Sequence, residues 1–248
     1  MIITFFLGIL YKKELHEFGR KIYKKRNRFT EKYSNIPENW GLDVGQVELI
    51  TKTIEDKLLN NDGLINEEST DNLAYHKDKR TLFEYAYDVH DGWIQEDLIK
   101  IWFENKIKKI DENLNLINTG TDKDRIFQIK NEKKITSTPD FNITLDGELI
   151  KKVETQVARE SRNSFDMKEN KIKTSIQENG VIMWVIIPDN KFFIIDPTNE
   201  MSGLETYYNF LWQKQCYNIN LNFIENVGGF YDMKDDFSDV YLKKIGIK

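Results

Sequence analysis

Apolar positions recur with helical spacing through much of the first half of the chain. Residues 11–33 show this spacing, and a loop is predicted around Asn35–Asn39 because Ile36-Pro37 discourages further helix. A second helix is predicted over residues 44–60. A long third helix with a broad apolar face is predicted over Arg80–Ile110.

The pattern changes after Asn118-Thr119-Gly120. Short apolar or alternating runs predict strands at Ile126–Ile129, Phe141–Leu145 and Leu149–Val157, and Asp146-Gly147 between the last two is a strong hairpin signal. Residues 163–178 return to helical spacing and are predicted to form a helix.

The last third of the chain begins with an unbroken apolar run. Val181–Ile187 is typical of a strand covered on both faces, and Lys191–Ile195 predicts its neighbour. Leu204–Cys216 is predicted to be helical, and the aromatic residues between Trp184 and Tyr217 are expected in a core rather than stacked on bases. These elements predict an α/β fold with a mixed central sheet flanked by helices, preceded by a helical N-terminal region.

A polar stretch over residues 60–79 contains the turn signal Asn61-Asp62-Gly63 and is the best internal boundary. We therefore expect a helical region over residues 1–78, available for DNA contact or dimerisation. Residues 79–248 are expected to form the main domain with a C-terminal extension.

Composition excludes several classes of protein. Of the 248 residues, 40% are hydrophobic and 31% are charged, which argues against a disordered or low-complexity chain. The single cysteine, Cys216, excludes a disulfide framework and predicts a reducing, cytoplasmic location. The apolar run Met1–Leu10 is too short to cross a bilayer, so no membrane is expected as a partner. No organic cofactor is expected either.

Basic residues are concentrated near the N-terminus although the net charge is -5. Between Tyr11 and Tyr33 there are nine basic and three acidic residues. Such a cluster favours contact with phosphates, and the alternative is a solvated helix face. The candidates for nucleic-acid contact here are Lys24, Lys25, Arg26 and Arg28.

Carboxylates face each other across the predicted hairpin. Glu154 and Gln156 lie two residues apart on one strand and share a face, and strand pairing brings Asp140 beside Glu154. Two close carboxylates repel unless a cation lies between them, and an all-oxygen site suits Mg²⁺. A metal ion held there can polarise a phosphoryl oxygen and generate hydroxide from water.

Pro139-Asp140, thirteen residues, and then Glu154-Thr155-Gln156 resembles the motif of the PD-(D/E)xK nuclease superfamily. The element order around it is also similar to that of type II restriction endonucleases. The resemblance implies a Mg²⁺-dependent endonuclease that cuts double-stranded DNA as a homodimer. Asp140 and Glu154 would hold the metal, and the Thr155 carbonyl is a third candidate ligand.

The chain departs from the family pattern at Gln156, which stands where the family usually has lysine. Glutamine can orient a water molecule but supplies no charge. Some restriction endonucleases are similar in this respect, and Lys168 or Lys171 on the following predicted helix could supply the missing charge; Lys168 is the first candidate. Glu96 resembles the additional acid that the family often takes from the preceding helix.

Four basic residues near the acidic strand are candidates for holding phosphates beside the scissile bond: Lys151, Lys152, Arg159 and Arg162. A role in surface solubility is the alternative for all four.

Two other functions are consistent with the same residues. His90, Pro139-Asp140, Glu154 and Lys168 can be aligned with the arrangement of viral cap-snatching endonucleases, which cut RNA, although Asp111 is the only comfortable candidate for their additional acid. Alternatively, Gln156 leaves the chain inactive as a nuclease, and it only binds nucleic acid.

Overall fold

The computed structural model describes residues 29–60, 82–119 and 138–248. The chain divides into two compact units. The described part of the first comprises residues 29–38, 42–60 and 82–99, and that of the second comprises residues 39–41, 100–119 and 138–248. No helix within these ranges is long and apolar enough to cross a membrane.

Helices form the described part of the N-terminal region, as predicted: α1 (Phe29–Lys32), α2 (Ile36–Trp40) and α3 (Val44–Asn60). The long helix α4 (Leu82–Lys108) follows. Most of the helix predicted over residues 11–33 lies outside the described residues. The loop predicted around Asn35–Asn39 is wrong, because α2 occupies most of it. Pro37 lies in the first turn of α2, where a helix has no use for the backbone N–H that proline lacks.

A buried carboxylate organises the first unit. Asp91, on α4, is fully buried and accepts hydrogen bonds from Lys32 Nζ at 2.6 Å and from the Tyr33 hydroxyl at 2.7 Å. Gln95 Nε2, one turn further along α4, donates to the other Asp91 oxygen at 3.0 Å. These bonds fix the residues at the end of α1 to the side of α4.

The second unit contains a six-stranded mixed sheet with strand order β1-β2-β3-β5-β6-β9. Its strands are β1 (Leu114–Asn118), β2 (Phe141–Leu145), β3 (Glu148–Ala158), β5 (Gly180–Ile186), β6 (Lys191–Ile195) and β9 (Tyr231–Asp232). The predicted strands at 141–145, 149–157, 181–187 and 191–195 are confirmed within one residue. The strand predicted at Ile126–Ile129 lies outside the described residues, and β1 was not predicted.

The hairpin of β2 and β3 turns at Asp146-Gly147, as predicted. Both residues have positive φ, 51° and 85°, which is the requirement of a tight two-residue hairpin turn. β3 then pairs in parallel with β5. All seven residues of β5 are buried, in agreement with its unbroken apolar sequence.

The connection from β3 to β5 corrects the prediction of a single helix over residues 163–178. Its first part is strand β4 (Ser164–Lys168), and only Glu169–Gln177 forms a helix, α5. Phe165 and Met167 alternate with more exposed residues, which is the spacing of a strand.

The helix predicted over Leu204–Cys216 is also wrong. This segment contains strand β7 (Thr206–Asn209) and the start of β8 (Lys214–Asn220). β4, β8 and β7 form a second, antiparallel sheet.

The small sheet packs against one face of the large one. Phe165 of β4 lies 4.9 Å from Trp184 of β5 and 5.5 Å from Phe193 of β6, measured between ring centroids. Phe192, the neighbour of Phe193, points to the opposite face and contacts Trp102 of α4 at 4.9 Å. Three further helices complete the described chain: α6 (Pro197–Glu200), α7 (Leu221–Asn226) and α8 (Asp239–Lys244).

Candidate active site

The predicted acidic residues lie at the N-terminal end of β2, where β3 extends beyond its pairing with β2. The last pair of this ladder is Phe141 with Val153, so Asp140 immediately precedes β2. Beyond Val153, β3 remains paired with β5, and Glu154 lies opposite Ile182. The strand end therefore leaves the next residues of β3 without a backbone partner from β2.

Asp140 occupies the place of that missing partner. Its Oδ2 atom accepts hydrogen bonds from the Thr155 backbone N–H at 2.8 Å and from the Thr155 hydroxyl at 2.6 Å. A carboxylate held by two donors on a strand end has a fixed orientation. The hairpin thus brings Asp140 against Thr155, the residue that follows Glu154.

Glu154 is buried, with 2% of its surface exposed, and it has a cationic partner. Lys171 Nζ, on α5, lies 2.6 Å from Glu154 Oε1, and Gln156 Nε2 donates to the same oxygen at 2.9 Å. Burial, and after it the negative charge of Asp140, raise the pKa of Glu154 to about 7, although Lys171 and Gln156 oppose them. Asp140 is therefore near enough for its negative charge to act on Glu154.

The donor atoms at this position suit a hard divalent cation. Asp140 and Glu154 supply carboxylate oxygens, which Mg²⁺ prefers, and Mg²⁺ needs only one or two of them because it keeps several waters. No group of three or more His, Cys, Asp or Glu side chains able to hold a metal occurs within the described ranges. The chemistry of the pair therefore fits a largely hydrated Mg²⁺ better than zinc or a fully protein-ligated ion.

Gln156 links the carboxylate to the backbone. Besides Glu154, its Nε2 donates to the Thr155 carbonyl oxygen at 2.8 Å. This is the carbonyl that the family resemblance suggests as a third ligand. The side chain of Gln156 thus holds Glu154 and this carbonyl together and brings no charge.

The cation comes from Lys171 rather than from Lys168. Lys168 was predicted on a helix, but it is the last residue of β4, and its Nζ lies 5.5 Å from the centre of the Trp212 ring. Lys171 is one helical turn further on, inside α5, and this turn directs its side chain to Glu154. Both lysines were predicted as candidates, with Lys168 first, and a catalytic role for either stays a prediction.

The basic residues predicted to hold phosphates have other contacts. Lys151 donates to Asn179 at 2.8 Å, and Lys152 pairs with Glu178 at the end of α5. Arg162 pairs with Glu160 at 3.0 Å on the exposed loop after β3. These contacts favour the structural alternative for the three residues.

Arg159 is exposed on the same loop and remains a candidate for phosphate contact. The N-terminal candidates Lys24, Lys25, Arg26 and Arg28 lie outside the described residues, so their role stays a prediction.

Two further candidates, His90 and Glu96, lie on α4 within the first unit. His90 is buried, and its Nδ1 is 2.7 Å from the Ala86 carbonyl oxygen. A carbonyl oxygen only accepts, so Nδ1 donates this hydrogen bond. Glu96 is half-buried, and its role in catalysis stays a prediction.

Comparisons of the chain with known protein families, with curated proteins and with solved structures gave no match. The arguments about function therefore rest on the geometry of the site.

Proposed function

We propose that this chain is a Mg²⁺-dependent nuclease that hydrolyses phosphodiester bonds. The observation that carries the proposal is the buried Glu154 carboxylate, which is close to Asp140 and paired with Lys171. Burying a carboxylate and placing a second one beside it is costly, and such arrangements are concentrated at functional sites. The strand-end position of the pair supports the resemblance to the PD-(D/E)xK nucleases.

Each residue has a distinct role in this proposal. Asp140 and Glu154 would hold Mg²⁺, which when bound polarises a phosphoryl oxygen and lowers the pKa of a water molecule. Thr155 fixes the orientation of Asp140, and Gln156 fixes that of Glu154. Lys171 supplies the positive charge that Gln156 lacks, at a position where it can stabilise negative charge developing on the phosphate.

Duplex DNA is the substrate that the similarity to restriction enzymes implies, with a homodimer cutting both strands. RNA is the second candidate, and one observation favours it. Lys171 belongs to the helix after the acidic strand, and the resemblance to cap-snatching endonucleases also places the lysine downstream of the acid.

The proposal is tested by incubating the full chain with plasmid DNA and with single-stranded RNA, each with Mg²⁺ or with a chelator. We expect cleavage of at least one substrate only with Mg²⁺. Asp140→Asn and Glu154→Gln should each reduce the rate by more than the roughly 10–100-fold typical of groups that merely support a metal ligand. Glu178→Gln, which removes an exposed carboxylate at the end of α5, is the matched control and should cut normally.

Cleavage that persists in both carboxylate variants would refute the proposed site. Salt-sensitive binding without cleavage of either substrate would instead support the inactive nucleic-acid-binding protein.

A further inference from the structure

The loop between β7 and β8 exposes large apolar side chains. Phe210 is 84% exposed, Leu211 92% and Trp212 44%, and Tyr208 packs edge-on against Phe210 with ring centroids 5.1 Å apart. The prediction that the aromatic residues between Trp184 and Tyr217 lie in a core is wrong for Phe210 and Trp212, because both are exposed. Adjacent exposed apolar residues of this size mark a binding surface far more often than isolated ones do. We call Tyr208, Phe210, Leu211 and Trp212 the aromatic tip.

Hydrogen bonds hold the aromatic tip in a defined conformation. Asn209, the last residue of β7, accepts from the Trp212 backbone N–H at 3.1 Å, and its Nδ2 donates to Asp166 of β4 at 3.2 Å. Gln213 then turns the chain with a φ of 51°, which few non-glycine residues adopt without support. A rigid loop presents its rings at little entropic cost on binding.

Lysines connect the aromatic tip to the candidate active site. Lys168 Nζ lies over the Trp212 ring, and Lys214 follows the loop directly. Burial lowers the pKa of Lys168, and the positive charges of Lys214 and Lys171 lower it further. Lys171, three residues after Lys168, pairs with Glu154 and so belongs to the candidate active site.

Asp166 lies two residues before Lys168 on β4. Asp166 accepts from Asn209 Nδ2 and from Asn218 Nδ2, the latter at 3.0 Å. The charges of Lys214 and Lys171 act repulsively on Lys168, the last residue of β4. A polyanion would relieve that repulsion.

We propose that the aromatic tip and its lysines bind a single-stranded segment of nucleic acid, an inference that rests on the proposed nuclease function and specifies its substrate. Unpaired bases stack on Trp212 and Phe210, and the phosphates between them contact Lys168 and Lys214. Lys171 then lies next along the strand, beside the carboxylates. A duplex hides the faces of its bases, so the tip selects an unpaired strand.

Binding is measured without cleavage, by fluorescence anisotropy of labelled oligonucleotides of about 12 nucleotides in the presence of a chelator. Single-stranded RNA, single-stranded DNA and a duplex of the same sequence are compared. We expect both single strands to bind more tightly than the duplex. Trp212→Ala and Phe210→Ala should each weaken single-strand binding by roughly 5–100-fold. Leu149→Ala, which truncates a half-exposed residue elsewhere in the second unit, is the control and should bind normally.

The variants separate this inference from the nuclease proposal. Phe210 is so exposed that its loss cannot unfold the protein, so unchanged single-strand binding by Phe210→Ala and Trp212→Ala would overturn the inference. Tip-dependent binding to anionic phospholipid vesicles, with no binding to oligonucleotides, would overturn it in favour of a membrane surface. If the wild-type chain binds single strands through the aromatic tip but never cleaves them, the nuclease proposal is refuted and the binding inference stands.

Discussion

In the proposed site, the pairing of Lys171 with Glu154 supplies the positive charge that Gln156 lacks. A lysine at position 156 would bring its charge from β3, the strand that also carries Glu154. Here the amide of Gln156 and the ammonium of Lys171 meet at one oxygen of Glu154, so orientation and charge come from two elements. The proposed chemistry therefore depends on how α5 is placed relative to β3.

Lys171→Met tests that division of roles. The variant keeps the length of the side chain and removes its charge, so we expect the Mg²⁺-dependent cleavage rate to fall by about 100-fold. Lys173→Met is the matched control, because Lys173 lies on the same helix and pairs with Glu169 on the surface. Equal rates for the two variants would exclude a catalytic role for Lys171.

The raised pKa of Glu154 predicts how stability depends on pH. Its pKa is about 7 in the folded chain against 4.5 when it is unperturbed, so the folded state binds more protons between these values. The free energy of unfolding should therefore fall as pH rises from 4.5 to about 7, by on the order of 2–3 kcal/mol for this group without metal.

Urea unfolding of the metal-free protein at several pH values measures this dependence. Glu154→Gln has no proton to lose, so its stability should change less with pH over the same window. Identical slopes in the two proteins would show that the Glu154 pKa is not raised.

The carboxylates could be predicted from sequence because the signal is local. Asp140 and Glu154 lie on opposite sides of a two-residue hairpin turn. Antiparallel pairing therefore brings the start of β2 opposite the middle of β3. Lys171 could not be assigned in the same way, since its reach depends on where α5 begins. The exposed aromatic tip gave a signal too: Phe210, Leu211 and Trp212 are consecutive and follow an asparagine, as expected of a turn rather than of one face of a helix.

Among the elements of the first unit, α4 depends on its buried carboxylate. Asp91→Ala removes the buried acceptor of the Tyr33 hydroxyl and one of the two acceptors of the Gln95 amide. We expect a loss of about 3–5 kcal/mol in the free energy of unfolding. Chemical denaturation followed by circular dichroism measures it.

A surface pair in the same unit provides the comparison. Glu48 and Lys52 are 2.8 Å apart on α3 and are largely exposed. Glu48→Ala should cost less than about 1 kcal/mol. A similar loss for both variants would show that Asp91 is not the organising group.

Helices with regular apolar spacing were predicted well, and short segments were not. Residues 44–60 and 80–110 carry enough turns for the period to be clear, and α3 and α4 match them closely. Residues 163–178 contain both the strand β4 and the helix α5. The helical spacing of the second part was therefore extended to the whole segment. A single window cannot separate two elements that meet within one residue.

At the scale of the whole molecule, bound Mg²⁺ should stabilise the chain. An ion that binds only the folded state at about ten times its dissociation constant adds about 1.4 kcal/mol, or roughly 3–6 °C in Tm. Differential scanning calorimetry with and without Mg²⁺ measures the shift.

Asp140→Asn and Glu154→Gln should each abolish most of this shift. Glu178→Gln should keep it. A shift of the same size in all three variants would mean that the ion binds elsewhere.

The mixed α/β fold was predictable because each strand of the hairpin and β5 carries its own pattern. The small sheet was not, since β4 pairs with β8 about 50 residues later and neither strand identifies the other by spacing. Long-range pairing of this kind is decided by packing on the core formed by Phe165, Trp184 and Phe193.

The small sheet also contains Cys216, the only cysteine of the chain, which is completely buried between Lys168 of β4 and Tyr207 of β7. Burial raises the pKa of its thiol, so maleimide reagents should leave the native protein unmodified. Leu211→Cys would then offer a single reactive thiol at the summit of the β7–β8 loop. One fluorophore attached there could report the arrival of an oligonucleotide in real time, with no need to remove the natural cysteine first.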